Sequence, residues 1–293
     1  MDVFPFYQIG HFINQPDNPT EFELTRFGAM AEPDIDDPHK HTFYEIIWVE
    51  AGRSEQVIDY KTYAIEPACL FFISPGQLHH FENWQNLEGG SILFTENFFL
   101  FDQQNKDQLF ELIFLDNFYI NPVLRLNTAN FSDLLAVIRL IDMEAGKPVR
   151  DARIIRHLLH ILLLKIEQLV EGALPMGIAK TQIIQFKTFK NLLDQHFAEN
   201  LGVSDYAKAM NTTQHQLNRI TRAVTNNTAT AFIRNRTMLE AKRYLTFTDF
   251  TVSEIAAQLN FLDSSYFARI FKKETGLSPL EFKNRMSEKY RNL

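Results

Sequence analysis

The chain has 293 residues, 45% of them hydrophobic and 22% charged, which is the balance of an ordinary globular protein with room for two modest domains. Its single cysteine, Cys69, excludes an intramolecular disulfide and a cysteine-based metal site, and it favours a reducing compartment. The net charge of −7 is unevenly distributed, because the residues from Thr181 onward include 16 Lys and Arg against 10 Asp and Glu. The C-terminal part therefore carries +6 and the preceding part −13, which favours a C-terminal domain that binds phosphate groups.

The sequence predicts neither a signal peptide nor a membrane-spanning helix. Residues 1–10 lack the basic and apolar regions of a signal peptide. The longest apolar run, Leu158–Leu164 with His160 inside it, is much shorter than a bilayer span. We therefore expect a cytoplasmic protein with no membrane partner.

Short runs of β-branched and aromatic residues, closed by turn residues, fill the chain from residue 1 to about residue 126. Several short strands in series are typical of a β-barrel or a sandwich. The predicted strands are Phe43–Val49, Ser54–Tyr60, Tyr63–Ile65, Cys69–Ile73 and Ser91–Phe94.

The spacing of apolar residues becomes helical from about Thr128, and it predicts a helical segment over residues 127–171. Its second helix, roughly Val149–Val170, is apolar over more than one face, so it is either buried centrally or packs against a partner on each side. One interpretation is that the helix contacts a second chain in a homodimer, and the other is that it packs on the barrel of its own chain. If the helix forms the dimer contact, we expect Leu162→Glu to give monomers. Residues 172–181 contain two glycines and a proline and are predicted to be a linker, and residues 182–293 are predicted to be entirely helical.

The C-terminal region contains an internal repeat. Val203–Asn211 reappears as Val252–Asn260, with six of nine positions identical or chemically close. Each copy fits a helix-turn-helix unit, and duplication of such a unit explains the repeat. In the second copy Thr251 and Glu254 predict a capping box at the start of a helix. Asn211 and Asn260 end the first helix of each copy, where a left-handed residue turns the chain.

The second helix of each copy places apolar and polar residues on opposite faces, with Leu217 and Phe267 inward and Arg219 and Arg269 outward. An outward stripe at helical spacing suits the major groove, where Arg pairs with guanine and Asn with adenine. The repeat disfavours the alternative of two ordinary amphipathic hairpins with solvated basic faces. The predicted DNA-binding residues are Gln214, His215, Asn218, Arg219, Arg222, Ser264, Ser265, Tyr266, Arg269, Lys272 and Lys273.

The region from about Gln182 to Tyr290 resembles the AraC/XylS family of transcription regulators. The residues that carry the resemblance are Leu239–Leu245, Thr251–Ala256 and, most strongly, Phe261–Pro279. Two departures are Asn260, where the family usually has glycine, and Lys283, where it usually has arginine.

The resemblance implies a transcription regulator, more commonly an activator, that binds double-stranded DNA and affects RNA polymerase. Its two recognition helices would enter successive major grooves and be joined by a long helix from about Thr228 to Phe247. The resemblance also favours the dimer as the partner of the helix at Val149–Val170.

The segment His39–Glu45 followed by Gly52 resembles the first cupin motif, and Pro75–Asn83 resembles the second. Pro75 directly precedes the motif glycine, and Ala68-Cys69 replaces the usual Gly-Asp, so the match departs from the motif at two places. The resemblance implies a small barrel that holds a small polar effector. The candidate effector residues are His39, His41, Glu45, Trp48, His79 and Phe81.

The histidines and Glu45 leave a second interpretation open. His39, His41, Glu45 and His79 are candidate ligands of a divalent transition metal, which would make the barrel a metal-dependent enzyme or a metal sensor fused to a DNA-binding domain. Regulators that resemble this chain often carry such histidines as polar lining, so we expect no cofactor, no metal and no enzymatic activity. For Trp48 the alternative to an effector contact is a place in the core.

Together these patterns predict an α+β protein of two domains. A cupin-like β-barrel over residues 1–126 is followed by the helical dimerisation segment and the linker. An all-α domain with tandem helix-turn-helix units then occupies residues 182–293.

Overall fold

The computed structural model describes residues 6–28, 38–100, 112–115, 122–171 and 180–290. The chain divides into two compact units, Pro5–Met176 and Gly177–Leu293, called here the N-terminal and C-terminal domains. Most of the predicted linker, residues 172–179, lies outside the described residues, so its bounds stay a prediction. Within the described ranges, no helix combines the length and the apolar composition that crossing a bilayer requires.

The described strands of the N-terminal domain form three open sheets. Five strands make an antiparallel sheet in the order β10-β7-β4-β9-β2, three make a second in the order β6-β5-β8, and β1 pairs with β3 in parallel. The strands are β1 Phe6–Tyr7, β2 Phe22–Arg26, β3 Lys40–His41, β4 Tyr44–Ala51, β5 Ser54–Ile58, β6 Lys61–Ile65, β7 Cys69–Ile73, β8 His79–Phe81, β9 Glu88–Phe94 and β10 Val123–Arg125.

The two larger sheets face each other across an apolar layer. Ile47 and Phe71 of the five-stranded sheet belong to the same buried cluster as Ile58 and Ile65 of the three-stranded sheet. The predicted barrel or sandwich is therefore present as two facing sheets, because the ladders of the described strands do not close into one cylinder.

Helices cover the opposite face of the five-stranded sheet. These are α3 Thr128–Ala145 and α4 Ala152–Glu171, while the short helices α1 Ile9–Phe12 and α2 Glu96–Leu100 precede them. Alternation along β4 sends Ile46 and Trp48 to this side, where they share a core cluster with both long helices.

The inner face of α4 is fully occupied by this core. Leu162 is buried, so Leu162→Glu would place a charge inside the domain and unfold it. The choice of Leu162 as a residue of the dimer contact is therefore wrong. Ile161 and Leu164 are 45% and 55% exposed, and they lie on the outer face of the same helix.

The described part of the C-terminal domain is helical, as predicted. The long helix predicted from Thr228 to Phe247 is confirmed, with Thr228 as its N-cap, since the Thr228 hydroxyl accepts a hydrogen bond of 3.1 Å from the Ala231 amide. The helices are α5 Lys180–His196, α6 Val203–Ala209, α7 Gln214–Thr225, α8 Ala229–Phe247, α9 Val252–Gln258, α10 Ser264–Thr275 and α11 Pro279–Tyr290.

Helix α8 carries a buried ionic network. The Arg236 guanidinium donates to Asp194 of α5 at 2.7 Å and to Glu240 one turn further along α8 at 3.1 Å. Glu240 also accepts a hydrogen bond of 3.1 Å from Arg243, and Lys190 lies 3.0 Å from Asp194. Opposite charges at these distances stabilise one another strongly where water is excluded.

Replacing Arg236 by Ala would leave the two carboxylates without their shared cation, so we expect the C-terminal domain to lose roughly 3 kcal/mol of unfolding free energy. Arg234→Ala is the matched control, because the Arg234–Glu274 pair lies on the same helix but its side chains are 36% and 20% exposed. We expect this control to lose about 1 kcal/mol or less. Hydrogen exchange of the α8 amides measures both losses, and equal losses would contradict the account.

Candidate functional site

The two helix-turn-helix units have equivalent local structure. The predicted capping box is present, since the Thr251 amide donates to Glu254 at 2.7 Å and the Glu254 amide donates to the Thr251 hydroxyl at 3.2 Å. In the first unit the Gly202 amide donates to Asp205 at 2.9 Å. Asn211 and Asn260 have φ angles of 51° and 56°, so both adopt the predicted left-handed conformation in the turn between their helices.

Helices α7 and α10 each have one buried and one exposed face. Leu217 and Ile220 bury the inner face of α7, and Phe267 and Phe271 bury that of α10. Most of the predicted DNA-binding residues are exposed on the opposite faces, and only Asn218 and Ser264 are half-buried. The exposed ones are Gln214, His215, Arg219, Arg222, Ser265, Tyr266, Arg269, Lys272 and Lys273.

Asn218 has a structural role, hydrogen bonding to the start of α8, that the sequence pattern did not predict. Its side-chain oxygen accepts a hydrogen bond of 3.0 Å from the Ala229 amide at the start of α8, and its amide nitrogen donates to the Gln214 carbonyl at 3.0 Å. Bidentate pairing with adenine needs both atoms of the side-chain amide. The predicted role of Asn218 in reading adenine therefore does not agree with its place in the structure.

Arg219 and Arg269 lie at equivalent exposed positions of α7 and α10. The Arg269 guanidinium lies 5.8 Å from the centre of the Tyr266 ring, which restricts its orientation through a cation–π contact. Lys272 and Lys273 occupy the last turn of α10, where positive charge is favoured by the helix dipole.

A second candidate site lies in the N-terminal domain, where β3, β4 and β8 bring the predicted polar residues together. His41 Nε2 lies 3.5 Å and His79 Nε2 3.4 Å from the same carboxylate oxygen of Glu45. His39 joins the group through reciprocal backbone hydrogen bonds of 3.1 Å with His79, and their rings are 4.3 Å apart. All four side chains are buried, and Phe12 of α1 packs against His39 and His41.

Burial controls the charge of this cluster. It lowers the pKa of His39 well below the usual value, and the neighbouring His79 and His41 lower it further. Burial also lowers the pKa of His41. Burial alone would raise the pKa of Glu45, but the contacts with His41 and His79 outweigh it and hold that pKa below its usual range. At neutral pH the cluster therefore contains an ionised carboxylate and uncharged His39 and His41.

The structure separates Trp48 from the other predicted effector residues. Trp48 lies in the core beneath α3 and α4, three positions along β4 from Glu45 and hence on the opposite face of the strand. The prediction of an effector contact from Trp48 does not agree with this placement, and the parity of the two positions is the signal that excludes it. Phe81, in contrast, packs against the apolar layer between the sheets.

Gln56 is a residue of this interior that the sequence analysis missed. It pairs in register with Phe81 on one side and Tyr63 on the other, so all three side chains share one face of the three-stranded sheet. Ile58 and Tyr63 show that this face points toward the apolar layer. Gln56 is fully buried, and among the described residues neither atom of its amide has a hydrogen-bond partner.

Both domains match known families. Residues 24–111 match the AraC-like ligand binding domain, and residues 206–285 match a helix-turn-helix domain. The chain belongs to the AraC family of transcriptional regulators. As in other members of the family, an N-terminal ligand-binding domain precedes a C-terminal DNA-binding domain.

Relatives span nearly the whole of this AraC-family chain. An uncharacterized HTH-type transcriptional regulator, YfiF of Bacillus subtilis, is 26% identical over 94% of the chain and 87% of its own length. The HTH-type transcriptional activator RhaS of Salmonella schwarzengrund is 24% identical over 84% of the chain and 86% of its own length. A solved structure of ToxT from Vibrio cholerae aligns with 90% of the chain and 98% of ToxT, at 13% identity and a TM-score of 0.42.

Whether the buried Gln56 amide stabilises the N-terminal domain can be tested without a ligand. Gln56→Met removes a buried amide without depriving any protein group, so we expect the unfolding free energy of the N-terminal domain to be unchanged or to rise by about 1 kcal/mol. The matched control is Gln77→Met, because the equally buried Gln77 accepts from the Ser74 amide at 2.8 Å and donates to Asp59 at 3.3 Å. The control should lose about 1–3 kcal/mol.

Urea unfolding followed by tryptophan fluorescence measures these changes, since the only two tryptophans, Trp48 and Trp84, belong to this domain. A loss for Gln56→Met as large as that for Gln77→Met would show that Gln56 is a structural residue.

Proposed function

We propose that α7 and α10 read DNA in two successive major grooves. One observation carries this proposal: Arg219 and Arg269 lie at equivalent positions on the exposed faces of two helices whose opposite faces are buried. Each arginine reaches base edges in its own groove, with the two grooves about one helical turn, or roughly 10 bp, apart. Arg222 and Lys272 lie one turn further along their helices and contact phosphates.

The two helices specify different numbers of base pairs. On α7, Gln214, His215 and Arg219 offer hydrogen-bonding groups to the groove. On α10, Ala268 interrupts the stripe, and Tyr266 holds the Arg269 side chain. Helix α10 therefore discriminates among fewer base pairs than α7.

Arg219→Ala and Lys272→Ala test this division between base and phosphate contacts. We expect Arg219→Ala to cost on the order of 1–3 kcal/mol on the specific site and to relax the preference at one position. Lys272→Ala should weaken binding to all sequences alike and flatten the salt dependence by about one unit of slope. Titrations on a selected site and on scrambled DNA, at several salt concentrations, measure both effects. If Arg219→Ala lowers affinity for both DNAs equally, Arg219 is a phosphate contact and the assigned face is wrong.

The space between the facing sheets is the proposed effector site. The unpartnered Gln56 amide and the cluster of His39, His41, Glu45 and His79 supply polar groups, and the ring of Phe81 belongs to the apolar layer beside them. An amide that needs both a donor and an acceptor suits an uncharged polar ligand. The ionised Glu45 disfavours an anionic one.

Effector binding in this site would favour one of two states of the regulator and thereby change how much DNA is bound. We assign activation to the chain, following the name of its relative RhaS, with RNA polymerase as the further partner. We propose that the protein acts in the cytoplasm and catalyses no reaction.

A homodimer through the outer face of α4 completes the proposal. Ile154, Ile161 and Leu164 are 46%, 45% and 55% exposed and recur at the spacing of a helix–helix seam. Leu140 and Met143 of the neighbouring α3 are also exposed, at 51% and 71%. Exposed apolar side chains in such number are typical of an association site.

Ile161→Glu should convert the dimer into monomers without unfolding the domain, because the side chain lies outside the core. Binding to a two-site operator should weaken as well, since two linked DNA-binding domains gain from their effective concentration. Thr62→Glu adds the same charge at an exposed position of β6 and should leave the dimer intact. Analytical ultracentrifugation at micromolar concentration distinguishes the two, and a dimeric Ile161→Glu variant places the contact elsewhere.

A metal-assisted sensor is a second candidate function. The ligand atoms of His41, Glu45 and His79 all lie within 4.8 Å of one another. His79 Nδ1 lies 3.2 Å from the Gln77 carbonyl, so the ring can donate there and direct Nε2 toward Glu45. This donor set fits a divalent transition metal, which would act as a Lewis acid toward the ligand.

We expect sub-stoichiometric metal in protein purified without added ions, because the sequence around these residues departs from the cupin motif. Elemental analysis of the wild type, of His41→Ala and of the control His11→Ala measures the content. About one transition metal per chain, lost in His41→Ala and kept in His11→Ala, would contradict this expectation and show that the cluster binds a metal.

A further inference from the structure

The turn of the second helix-turn-helix unit is hydrogen-bonded to the segment that precedes the first unit. The Asn260 side chain donates to the Glu199 carbonyl at 3.2 Å. The Asn200 side chain donates in return to the Asn260 carbonyl at 3.4 Å. The two bonded residues are separated by 60 positions of sequence in one bond and by 61 in the other. We call these two bonds the Asn200–Asn260 pair.

The segment at Asn200 is itself attached to the first unit. The Tyr206 hydroxyl on α6 donates to the His196 carbonyl at 3.4 Å. The Arg236 guanidinium lies 4.0 Å from the centre of the Phe197 ring, which connects the segment to the buried network of α8. The Asn200–Asn260 pair is therefore a connection between the two units that is additional to α8.

The Asn260 side chain makes a contact that the left-handed backbone conformation at this position does not require. With a φ of 56° the position accepts glycine without strain. Glycine lacks the side chain that reaches Glu199. Asn211 is the matching residue of the first unit, with a φ of 51°, and among the described residues no side-chain bond from Asn211 reaches the other unit.

We infer that the Asn200–Asn260 pair is a positioning contact, which fixes the separation of α7 and α10 and hence the number of base pairs between the two halves of the site. Apart from this pair, the two units are joined by the segments at residues 226–228 and 248–251 and by their packing on α8. A second connection at a distance from α8 adds a restraint on how the two units are placed relative to each other. The inference rests on the proposed contact of both helices with DNA.

Asn260→Gly tests the contact with little risk to folding, and Asn211→Gly is its control. Full-length variants are titrated by fluorescence anisotropy against a site selected from random DNA. The other probes are the same site with either half scrambled and the site with one base pair inserted between its halves. We expect Asn260→Gly to bind the intact site roughly three- to ten-fold more weakly, the effect of losing the one hydrogen bond that the Asn260 side chain donates to Glu199, with each half-site alone unaffected.

The inserted base pair should also cost Asn260→Gly less affinity than it costs the wild type, by a factor of roughly three. Asn211→Gly should behave as the wild type on every DNA. If Asn260→Gly does the same, or if it weakens one half-site as much as the intact site, the positioning role is wrong.

Failure of the proposed DNA contacts has a different signature. In that case Arg219→Ala and Arg269→Ala would leave the corresponding half-sites unaffected, whatever Asn260→Gly does.

Discussion

Helix α8 is held by buried charge, and the arrangement of the DNA-binding domain depends on it. The Arg236 guanidinium lies between two carboxylates, one from α5 and one from α8 itself. Removing one partner from such a network is costly, so these contacts favour the observed placement of α5 against α8. Helices α6, α7, α9, α10 and α11 then pack around α8. Buried apolar residues fix the inner faces of α7 and α10, so Arg219 and Arg269 lie on their exposed faces.

A second constraint organises the N-terminal domain, namely the alternation of side chains along β4. Ile46 and Trp48 face the long helices, whereas Glu45 and Ile47 face the second sheet. One strand therefore contributes both to the core that supports the outer face of α4 and to the polar interior. A ligand that alters the position of β4 from one side acts directly on the core on the other, because close-packed interiors transmit small displacements.

The sequence predicted the structure where the spacing of apolar residues or a local capping residue determines it. Apolar spacing predicted β4, β5, β6, β7 and β9 and the helices α3 and α4, but not β1, β2, β3, β8 and β10. The internal repeat predicted both helix-turn-helix units, the family resemblance implied α8, and Thr251 with Glu254 marks a helix start within four residues. What it did not predict are polar contacts between elements distant in the chain. Asn218 has the spacing of a groove-facing residue, yet its oxygen caps α8. Gln56 follows an ordinary strand pattern, and its burial depends on the sheet that faces it. Ala68 stands where the cupin motif usually has glycine, and its φ of 60° is in the left-handed region that glycine would adopt. The turn is therefore formed although the residue type differs.

The central claim is that both helix-turn-helix units of this AraC-family regulator read DNA. The most direct measurement is selection of bound sequences from a random DNA pool with the full chain, repeated with Arg219→Ala and with Arg269→Ala. We expect two enriched blocks whose centres lie about one helical turn apart. Arg219→Ala should remove a preference within one block and Arg269→Ala within the other. A single enriched block that Arg269→Ala leaves unchanged would contradict the claim.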